Sequence, residues 1–449
     1  MIKLIVNIAF GLACLHATAQ RAELTQYHRA QRAITAVMVH DILSPPVASR
    51  VYAYTNIAAY EAGRAGFSQL LPFQNQHRDF PRLKRPDSLS KVNAVYASAW
   101  AAMLTANRFV FSEAQLTDSI NAILQNDWPT LPPRVKAQSI MWAKMVSDSV
   151  WNWSKKDNYR ETRKLRRYSY GKADSMWKPT PPGYIDAVEP HWGKMKTVVL
   201  ASVEEYRPAL PMPFSTNKIA PFYQQAKEVY NKVNSLTSAD SLIALFWDCN
   251  PFYLNTQGHL MFASKKLSPG GHWMSITGLA CQQAQAELPK VITAYLLTSV
   301  ALYDGFISCW HEKYRSNLIR PETYINAYID EKWKPLLQTP PFPEYTSGHS
   351  VISTAAAEVL SAIFGNEFSY NDDTETGYGL PLRRFTSFKQ AAAEAAISRF
   401  YGGIHYREAI EKGSLQGQKI GSAVIAFYNP HLKIINGPTP VKRRQSSNK

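Results

Sequence analysis

Three short segments in the last third of the chain decide its fold and its chemistry: KYRSNLIRP at residues 313–321, SGH at residues 347–349 and SRFYGGIH at residues 398–405. They supply cationic side chains, two imidazoles, a hydroxyl and a glycine amide. Such groups hold a tetrahedral oxyanion by charge and hydrogen bonds, and they carry out acid–base or nucleophilic chemistry on it. The residues that point to this chemistry are Lys313, Arg320, Ser347, Gly348, His349, Arg399 and His405.

The first segment is predicted to lie at the end of a helix. Lys313 and Arg320 are seven residues apart, which places them two turns apart on one face of a helix. Pro321 is expected to end or redirect that helix, so that Arg320 lies near its end. Arg offers a two-pronged donor to an oxyanion and Lys a point charge. Two solvated cations near a helix end are the alternative interpretation.

The second segment lies just before a helix predicted over residues 350–364. The amino end of a helix presents free amides and a positive potential, which favour a bound anion. Gly348 lets the backbone approach a bound oxygen, and Ser347 adds a hydroxyl. His349 supplies a proton-transfer group with a pKa near neutrality. An ordinary helix cap is the alternative.

The third segment contains a turn between two helices. Gly402 and Gly403 permit a sharp change of direction. That turn is expected to direct Arg399, near the end of one helix, and His405, at the start of the next, toward one point. A surface Arg and a capping His are the alternative, but they leave the first two segments unexplained.

Together the three segments resemble the signature of the superfamily of type 2 phosphatidic acid phosphatases (PAP2) and vanadium-dependent haloperoxidases. That signature is Lys, six residues and Arg-Pro, then Pro-Ser-Gly-His, then Ser-Arg, five residues and His. Thr346 stands where the pattern has Pro. The resemblance covers roughly residues 246–427. Ser44-Pro45-Pro46 and residues 49–52 are similar to the bacterial, secreted, iodoperoxidase-like branch.

The resemblance implies a set of roles for individual residues, with vanadate as the cofactor. His405 would be the metal ligand in a peroxidase or the covalent nucleophile in a phosphatase, and His349 the acid–base group. Phe342, seven residues before His349, would line the halide side of the site, with Trp310 and His311 adding to that wall. The oxygens of vanadate or phosphate would be bound by Lys313, Arg320, Ser347, Gly348 and Arg399.

The activity implied is that of a vanadate-dependent peroxidase. It would oxidise halide with hydrogen peroxide to a hypohalous species, iodide first and bromide next, with a small organic molecule as the acceptor. A secreted acid phosphatase with a phosphohistidine intermediate is the alternative, and a non-catalytic oxyanion-binding protein is the third. The sequence leaves association into homo-oligomers open.

The pattern along the whole chain predicts an all-α protein: a helical bundle of the PAP2 and haloperoxidase type with an additional helical amino-terminal half. We expect a helical amino-terminal region over residues 20–235, a catalytic domain over 236–430 and a basic, disordered tail over 431–449. Asp248, Asn250, Tyr253, His259 and His272 are interpreted as core packing or as parts of an entrance.

The amino terminus is typical of a signal peptide over residues 1–19, with Lys3, an apolar stretch and the Ala17-Thr18-Ala19 cleavage pattern. The mature protein is therefore expected to be secreted or periplasmic. No other apolar run is expected to span a membrane. The formal net charge of +16 comes without a nucleic-acid-binding motif, so we expect a small anionic substrate and no nucleic acid. Cys249, Cys281 and Cys309 can form at most one disulfide, and buried free thiols are favoured.

Overall fold

The computed structural model describes residues 2–77, 79–257, 260–263 and 265–436, and side chains are described outside residues 2–20 and 255–263. His259 and the basic tail beyond residue 436 therefore lie outside the described residues. The prediction of an all-α fold is confirmed. In the described ranges, α-helices alternate with irregular segments and two short hairpins.

The helices of the amino-terminal half are joined by long connections. A π-helix at Asn121–Asn126 directly follows the α-helix that ends at Ile120. Ser44 accepts a hydrogen bond from the Val47 amide, and Pro45 occupies the first turn of the second helix, as its fixed backbone angle favours. The helices are α1 Ile2–His40, α2 Pro45–Arg64, α3 Ala94–Ala106, α4 Glu113–Ile120, α5 Pro133–Ser154, α6 Tyr159–Arg163, α7 Pro221–Asn234 and α8 Ser238–Phe246.

The second half contains the three segments singled out in the sequence. Its helices are α9 Pro269–Gln283, α10 Leu288–Ser316, α11 Pro321–Tyr328, α12 Gly348–Phe364, α13 Phe388–Tyr401, α14 Arg407–Phe427 and α15 Asn429–Asn436. Two antiparallel hairpins interrupt it: β1 Leu254–Gln257 with β2 Leu260–Ala263, and β3 Tyr370–Asp372 with β4 Arg383–Phe385.

α10 is the central helix of the protein. It packs on α2 from the amino-terminal half and on α9, α12 and α14 from the second half. One continuous apolar core includes Ile57 of α2, Leu297 of α10 and Ile352 of α12, all fully buried. The two halves therefore share a core, and α10 holds the first signature segment against the second.

α10 also has the length and apolar composition needed to cross a membrane, with a mean hydropathy of 1.4 over its most apolar window. The expectation that no such run follows the amino terminus is wrong by this criterion. All of that window is buried inside the protein, where α2, α9 and α12 cover it. A core helix that is covered on every side is apolar all round for this reason.

The carboxyl terminus differs from the predicted boundary of a disordered tail at residue 431. α15 continues to Asn436, because His431 and Leu432 are buried and Ile434 and Ile435 pack against the same core. The remaining residues of that tail lie outside the described part. The three cysteines expected to be free thiols are unpaired and buried.

Candidate active site

The first segment spans two helices rather than one. α10 ends at Ser316, and Asn317 adopts a left-handed conformation with φ 48°, which stops the helix. Arg320 precedes the first turn of α11, which Pro321 opens. The expectation that Lys313 and Arg320 lie on one helix face, with Pro321 ending that helix, is therefore wrong. They converge through a sharp turn between α10 and α11.

Lys313 is completely buried and uses its ammonium group to hold the second segment in place. Its Nζ donates to the carbonyl oxygens of Pro343 at 3.0 Å, Glu344 at 3.1 Å and Thr346 at 2.5 Å. Burial lowers the pKa of Lys313 to about 8. The charge thus lies directly beneath the loop that leads into α12, and these three carbonyls occupy its three donor hydrogens.

Arg320 is fully buried and joins the third segment to the loop that precedes the second. Its Nε donates to the Phe342 carbonyl at 2.9 Å, and its Nη1 donates to the Ile404 carbonyl at 2.8 Å and lies 3.1 Å from His405 Nε2. Its Nη2 is buried and has no partner. Burial lowers the pKa of Arg320 to about 10. An unsatisfied guanidinium nitrogen beside an imidazole is a donor placed for a ligand.

The second segment begins α12 two residues earlier than predicted. Ser347 is the cap, accepting from the Ser350 amide, and its own amide donates to the Ala409 carbonyl at 3.0 Å. Gly348 occupies the first position of the helix. A Cβ built on Gly348 would lie 3.7 Å from the Trp310 ring and 4.0 Å from Lys313 Cε, so a side chain here would occupy the space between the ring and the buried lysine.

His349 follows with a ring nitrogen, Nε2, that is closed to solvent and has no partner. Burial lowers the pKa of His349 well below its usual range, and the nearby Arg399 lowers it further. The imidazole is therefore neutral and able to accept a proton. This is the state that a general base requires.

The third segment turns as its glycines predict. α13 ends at Tyr401, and Gly403 adopts φ 74°, a conformation that glycine takes without strain. His405 lies in the turn itself, because α14 begins at Arg407, two residues later than expected. Arg399 is buried, with its Nε on Ser398 Oγ at 3.1 Å.

Glu344, which the sequence reasoning missed, orients His405. Its carboxylate oxygen Oε1 lies 2.7 Å from His405 Nδ1 and accepts from the Tyr406 amide at 3.0 Å. This contact assigns the proton to Nδ1 and the lone pair to Nε2, where Arg320 Nη1 donates to it at 3.1 Å and where a central atom would bind. An acidic residue three positions before Ser347 was the available signal, but only the fold shows that it meets His405.

One small cavity brings the predicted residues together. Phe342, Gly348, His349, Arg399 and His405 line it, while the fully buried Lys313, Arg320 and Ser347 stand behind them. Apolar rings form much of its wall. The other lining residues are Pro45, Cys249, Asn250, Pro251, Phe252, Pro269, Phe306, Trp310, Pro340 and Ile404.

The aromatic wall has the composition expected from the sequence with one exception. The Trp310 and Phe342 rings lie 4.9 Å apart, and the Phe342 ring lies 5.1 Å from both Lys313 Nζ and Arg320 Cζ. His311 does not join them. As the next residue of α10 it points to the outside, where its Nε2 lies 2.9 Å from Arg207.

The charges of the site fit a tetrahedral oxyanion. Three buried cations, Lys313, Arg320 and Arg399, belong to the site. Of the nearby buried carboxyl groups, Asp248 and Glu312 pair with Lys266 and Arg315, and burial raises the pKa of Glu344 to about 8. An excess of buried positive charge is costly unless an anion compensates it. The unpartnered Arg320 Nη2 and His349 Nε2 add hydrogen-bonding capacity that an anion with several oxygens would satisfy.

Comparisons with known proteins agree with this geometry. A family model described as the VCPO second helical-bundle domain matches residues 293–433. The crystal structure of a bacterial vanadium-dependent iodoperoxidase is similar with a TM-score of 0.83 and 44% sequence identity, covering 90% of this chain and 96% of that one. No curated protein sequence matches the chain significantly.

Two further structures share the fold at low sequence identity. A holo-type bacterial vanadium-dependent chloroperoxidase is 16% identical, with a TM-score of 0.67, and the match covers 88% of this chain and 94% of that one. Its apo-type counterpart is 15% identical, with a TM-score of 0.66, and the match covers 87% of this chain and 95% of that one.

Proposed function

The chain belongs to the family of vanadium-dependent haloperoxidases, and we propose that it oxidises iodide, and bromide more slowly, with hydrogen peroxide. The enzyme class and its vanadate cofactor follow from the family. When bound, vanadate supplies the Lewis-acid chemistry that activates peroxide toward halide. The observation that carries the proposal is the pair of unpartnered nitrogens, Arg320 Nη2 and His349 Nε2, beside His405 Nε2.

The residues of the cavity fit vanadate in both charge and hydrogen bonding. His405 Nε2 would be the vanadium ligand, because Glu344 holds the proton on the other ring nitrogen. Arg320, Arg399 and the Gly348 amide would bind oxygens. Lys313 supplies positive charge from behind the loop and keeps the amino end of α12 in position.

His349 is proposed to act as the acid–base group. Its neutral imidazole, with Nε2 free in a closed environment, takes a proton from peroxide as peroxide enters and returns it to a departing oxygen.

The aromatic wall supports iodide as the preferred halide. Phe342, Trp310 and Phe306 line the cavity beside His349, and the one ring N–H among them, Trp310 Nε1, donates to the Val188 carbonyl at 3.1 Å. Stripping water from an ion costs more for a small anion than for a large one, since the solvation energy scales inversely with the radius. Iodide is also the halide that is easiest to oxidise.

The test is an assay of the purified protein with and without orthovanadate. We expect peroxide-dependent oxidation of iodide only after vanadate loading, weaker oxidation of bromide and negligible oxidation of chloride. A generic phosphate ester is assayed beside them. Ester hydrolysis inhibited by vanadate, without halide oxidation, would contradict the proposal and favour a phosphatase.

We further propose that the protein is exported after cleavage behind Ala19. Among the described side chains of α1 the first buried one is Tyr27, so every buried side chain described in this helix remains after cleavage. Sequencing the amino terminus of the protein recovered outside the cytoplasm is the test, with Gln20 expected as the first residue.

A further inference from the structure

A second polar cluster lies on the far side of one cavity wall and has no part in the proposed reaction. Cys249 Sγ, His272 Nδ1 and Glu375 Oε1 form a triangle of possible metal ligands, and all three residues are buried. The sulfur lies 3.4 Å from the ring nitrogen and 3.8 Å from the carboxylate oxygen, and the nitrogen lies 3.4 Å from that oxygen.

These separations are those of one face of a tetrahedral zinc site. With bonds of about 2.3 Å to sulfur and about 2.0 Å to nitrogen and oxygen, tetrahedral angles place the ligand atoms about 3.5 Å apart for S···N and S···O and about 3.3 Å apart for N···O. The three atoms therefore need to move by only a few tenths of an ångström to hold a metal ion. A fourth position remains for water or another ligand.

The histidine of the cluster is oriented as metal-binding histidines are. His272 Nε2 lies 2.8 Å from Asp372 Oδ2, and both side chains are completely buried. The Trp247 ring stacks on the imidazole at 4.5 Å. A carboxylate on the far nitrogen directs the near nitrogen toward a metal and increases its basicity.

The charge of the cluster selects a cation. A thiolate and a carboxylate together carry two negative charges, which a divalent ion neutralises in a buried place. Vanadate is an anion and fits the cationic cavity on the other side of Cys249, where His349, Arg399 and His405 lie. The two sites thus differ in charge and share one residue as their common wall.

The cluster ties together three segments that are distant in the chain. Cys249 follows α8, His272 belongs to α9, and Glu375 lies in the connection between β3 and β4. A surface cavity is lined by Asp373, Thr374 and Thr376 of that same connection, so the residues on either side of Glu375 in the sequence reach this cavity. A shift of this connection would give an ion a path to the ligands.

We propose that Cys249, His272 and Glu375 bind one divalent transition-metal ion of the zinc class, with Asp372 orienting His272. The ion holds the wall behind the vanadate cavity by joining the segment after α8 to α9 and to the β3–β4 connection. This site goes beyond the proposed function and does not depend on it. Without an ion, the same atoms would form a hydrogen-bonded network around a protonated His272.

The experiment measures the metal itself. Full-length protein is purified without chelator, stripped by dialysis against a chelator and titrated with zinc, and zinc and vanadium are determined in the same digest. Cobalt is then added to the stripped protein, because a thiolate–cobalt bond gives a charge-transfer absorption. We expect about one zinc per chain and a cobalt–thiolate band.

Variants assign the ligands. Cys249→Ser should abolish the cobalt–thiolate band, and Asp372→Asn, which leaves all three ligands, should weaken zinc binding by about 10–100-fold. Cys281→Ser is the matched control, since Cys281 is another buried free thiol of the second half and lies outside the cluster. It should bind zinc like the unmodified protein.

The proposal is overturned if folded, stripped protein gives no cobalt–thiolate band, or if Cys249→Ser and Cys281→Ser bind zinc equally. Circular dichroism establishes that each variant is folded. If Cys249→Ser does not fold, the cobalt spectrum of the unmodified protein and the affinity of Asp372→Asn still decide the question. Vanadium content is read independently, so a failure of the proposed peroxidase activity leaves this result unchanged.

Discussion

The Glu344 carboxylate and His405 Nδ1 lie 2.7 Å apart in a fully buried contact, although the two residues are 61 positions apart in the chain. The Tyr406 amide donates to the same oxygen and fixes the carboxylate. The contact sets which nitrogen of His405 carries the proton. It therefore makes Glu344 a positioning residue for the proposed vanadium ligand.

Replacement of Glu344 by Gln should weaken vanadate binding by about 10–100-fold, the usual effect of losing such a partner. The amide cannot ionise, and it can present a donor instead of an acceptor to His405 Nδ1. Vanadate affinity is measured by titrating the stripped protein and following bound vanadium. Glu61→Gln, another buried carboxyl group, which pairs with Arg64, is the control. Equal affinities for Glu344→Gln and the unmodified protein would remove Glu344 from the site.

Replacement of Gly348 by Ala should weaken vanadate binding without lowering the stability of the fold. The new Cβ would be 3.7 Å from the Trp310 ring and 4.0 Å from Lys313 Cε, which is ordinary contact. Replacing Gly by Ala at a compatible position stabilises a protein by about 0.4–1 kcal/mol, because the unfolded chain loses conformational freedom. Thermal unfolding of the stripped protein should therefore occur at the same or a higher temperature. The methyl group enters the space above Lys313, so vanadate affinity should fall about tenfold or more, equivalent to about 1.4 kcal/mol. Unchanged affinity would show that the anion does not approach Gly348.

The all-α fold could be predicted from the sequence because it depends on the local spacing of apolar residues. The convergence of the three segments could be predicted because they resemble a family signature. It was wrong about Lys313 and Arg320 sharing a helix face, since the left-handed conformation of Asn317 depends on how α11 packs. His311 was placed on the cavity wall, but a one-residue step along α10 turns it to the surface.

The contacts that the site residues make with one another could not be predicted from the sequence. Glu344 meets His405, and Cys249 meets His272 and Glu375, only because helices far apart in the chain pack together. The separation of such residues along the sequence does not indicate that they are in contact. Burial of Lys313 and Arg320 likewise follows from tertiary packing, which overrides the usual preference of these side chains for the surface.

Replacing His405 and replacing His349 should affect vanadium binding and turnover differently. His405→Ala removes the proposed ligand, so we expect no vanadium to be retained after gel filtration. His349→Ala should retain vanadium but lose turnover by about 10²–10⁴-fold if it acts as a general acid–base group. Bound vanadium and iodide oxidation are measured on the same samples. Equal loss of vanadium from both variants would contradict this division of roles.

Stability should fall in acid because of buried neutral histidines such as His77. Burial lowers the pKa of His77 to about 4, below the value of about 6.5 for an unfolded chain. The folded state therefore loses no stability through His77 above about pH 6.5, where this side chain is neutral in both states. As the pH falls, the unfolded state binds a proton at His77 that the folded state does not, and the free energy of unfolding decreases. Between pH 7 and pH 5 this one residue should lower the free energy of unfolding by up to about 2 kcal/mol.

Urea unfolding of His77→Gln at pH 7 and pH 5 checks this prediction. The variant loses the contact of His77 with the Tyr428 hydroxyl at 2.8 Å at both pH values, so the comparison rests on the difference between them. That difference should be smaller than in the unmodified protein. His40→Gln, at a partly exposed position, is the control. An unchanged difference in His77→Gln would show that His77 does not titrate on unfolding.

Phe342 is predicted to set the balance between iodide and bromide. Its ring contacts Trp310 and lies 5.1 Å from two buried cations. Phe342→His would place a polar, titratable ring there, which lowers the cost of bringing a smaller, more strongly hydrated halide into the cavity. We expect the ratio of bromide to iodide turnover to rise and the pH optimum to shift. Phe342→Leu, which keeps the wall apolar, is the control. If the two variants give the same ratio and pH optimum, or if the unmodified protein already oxidises chloride efficiently, the polarity of this position does not decide the halide.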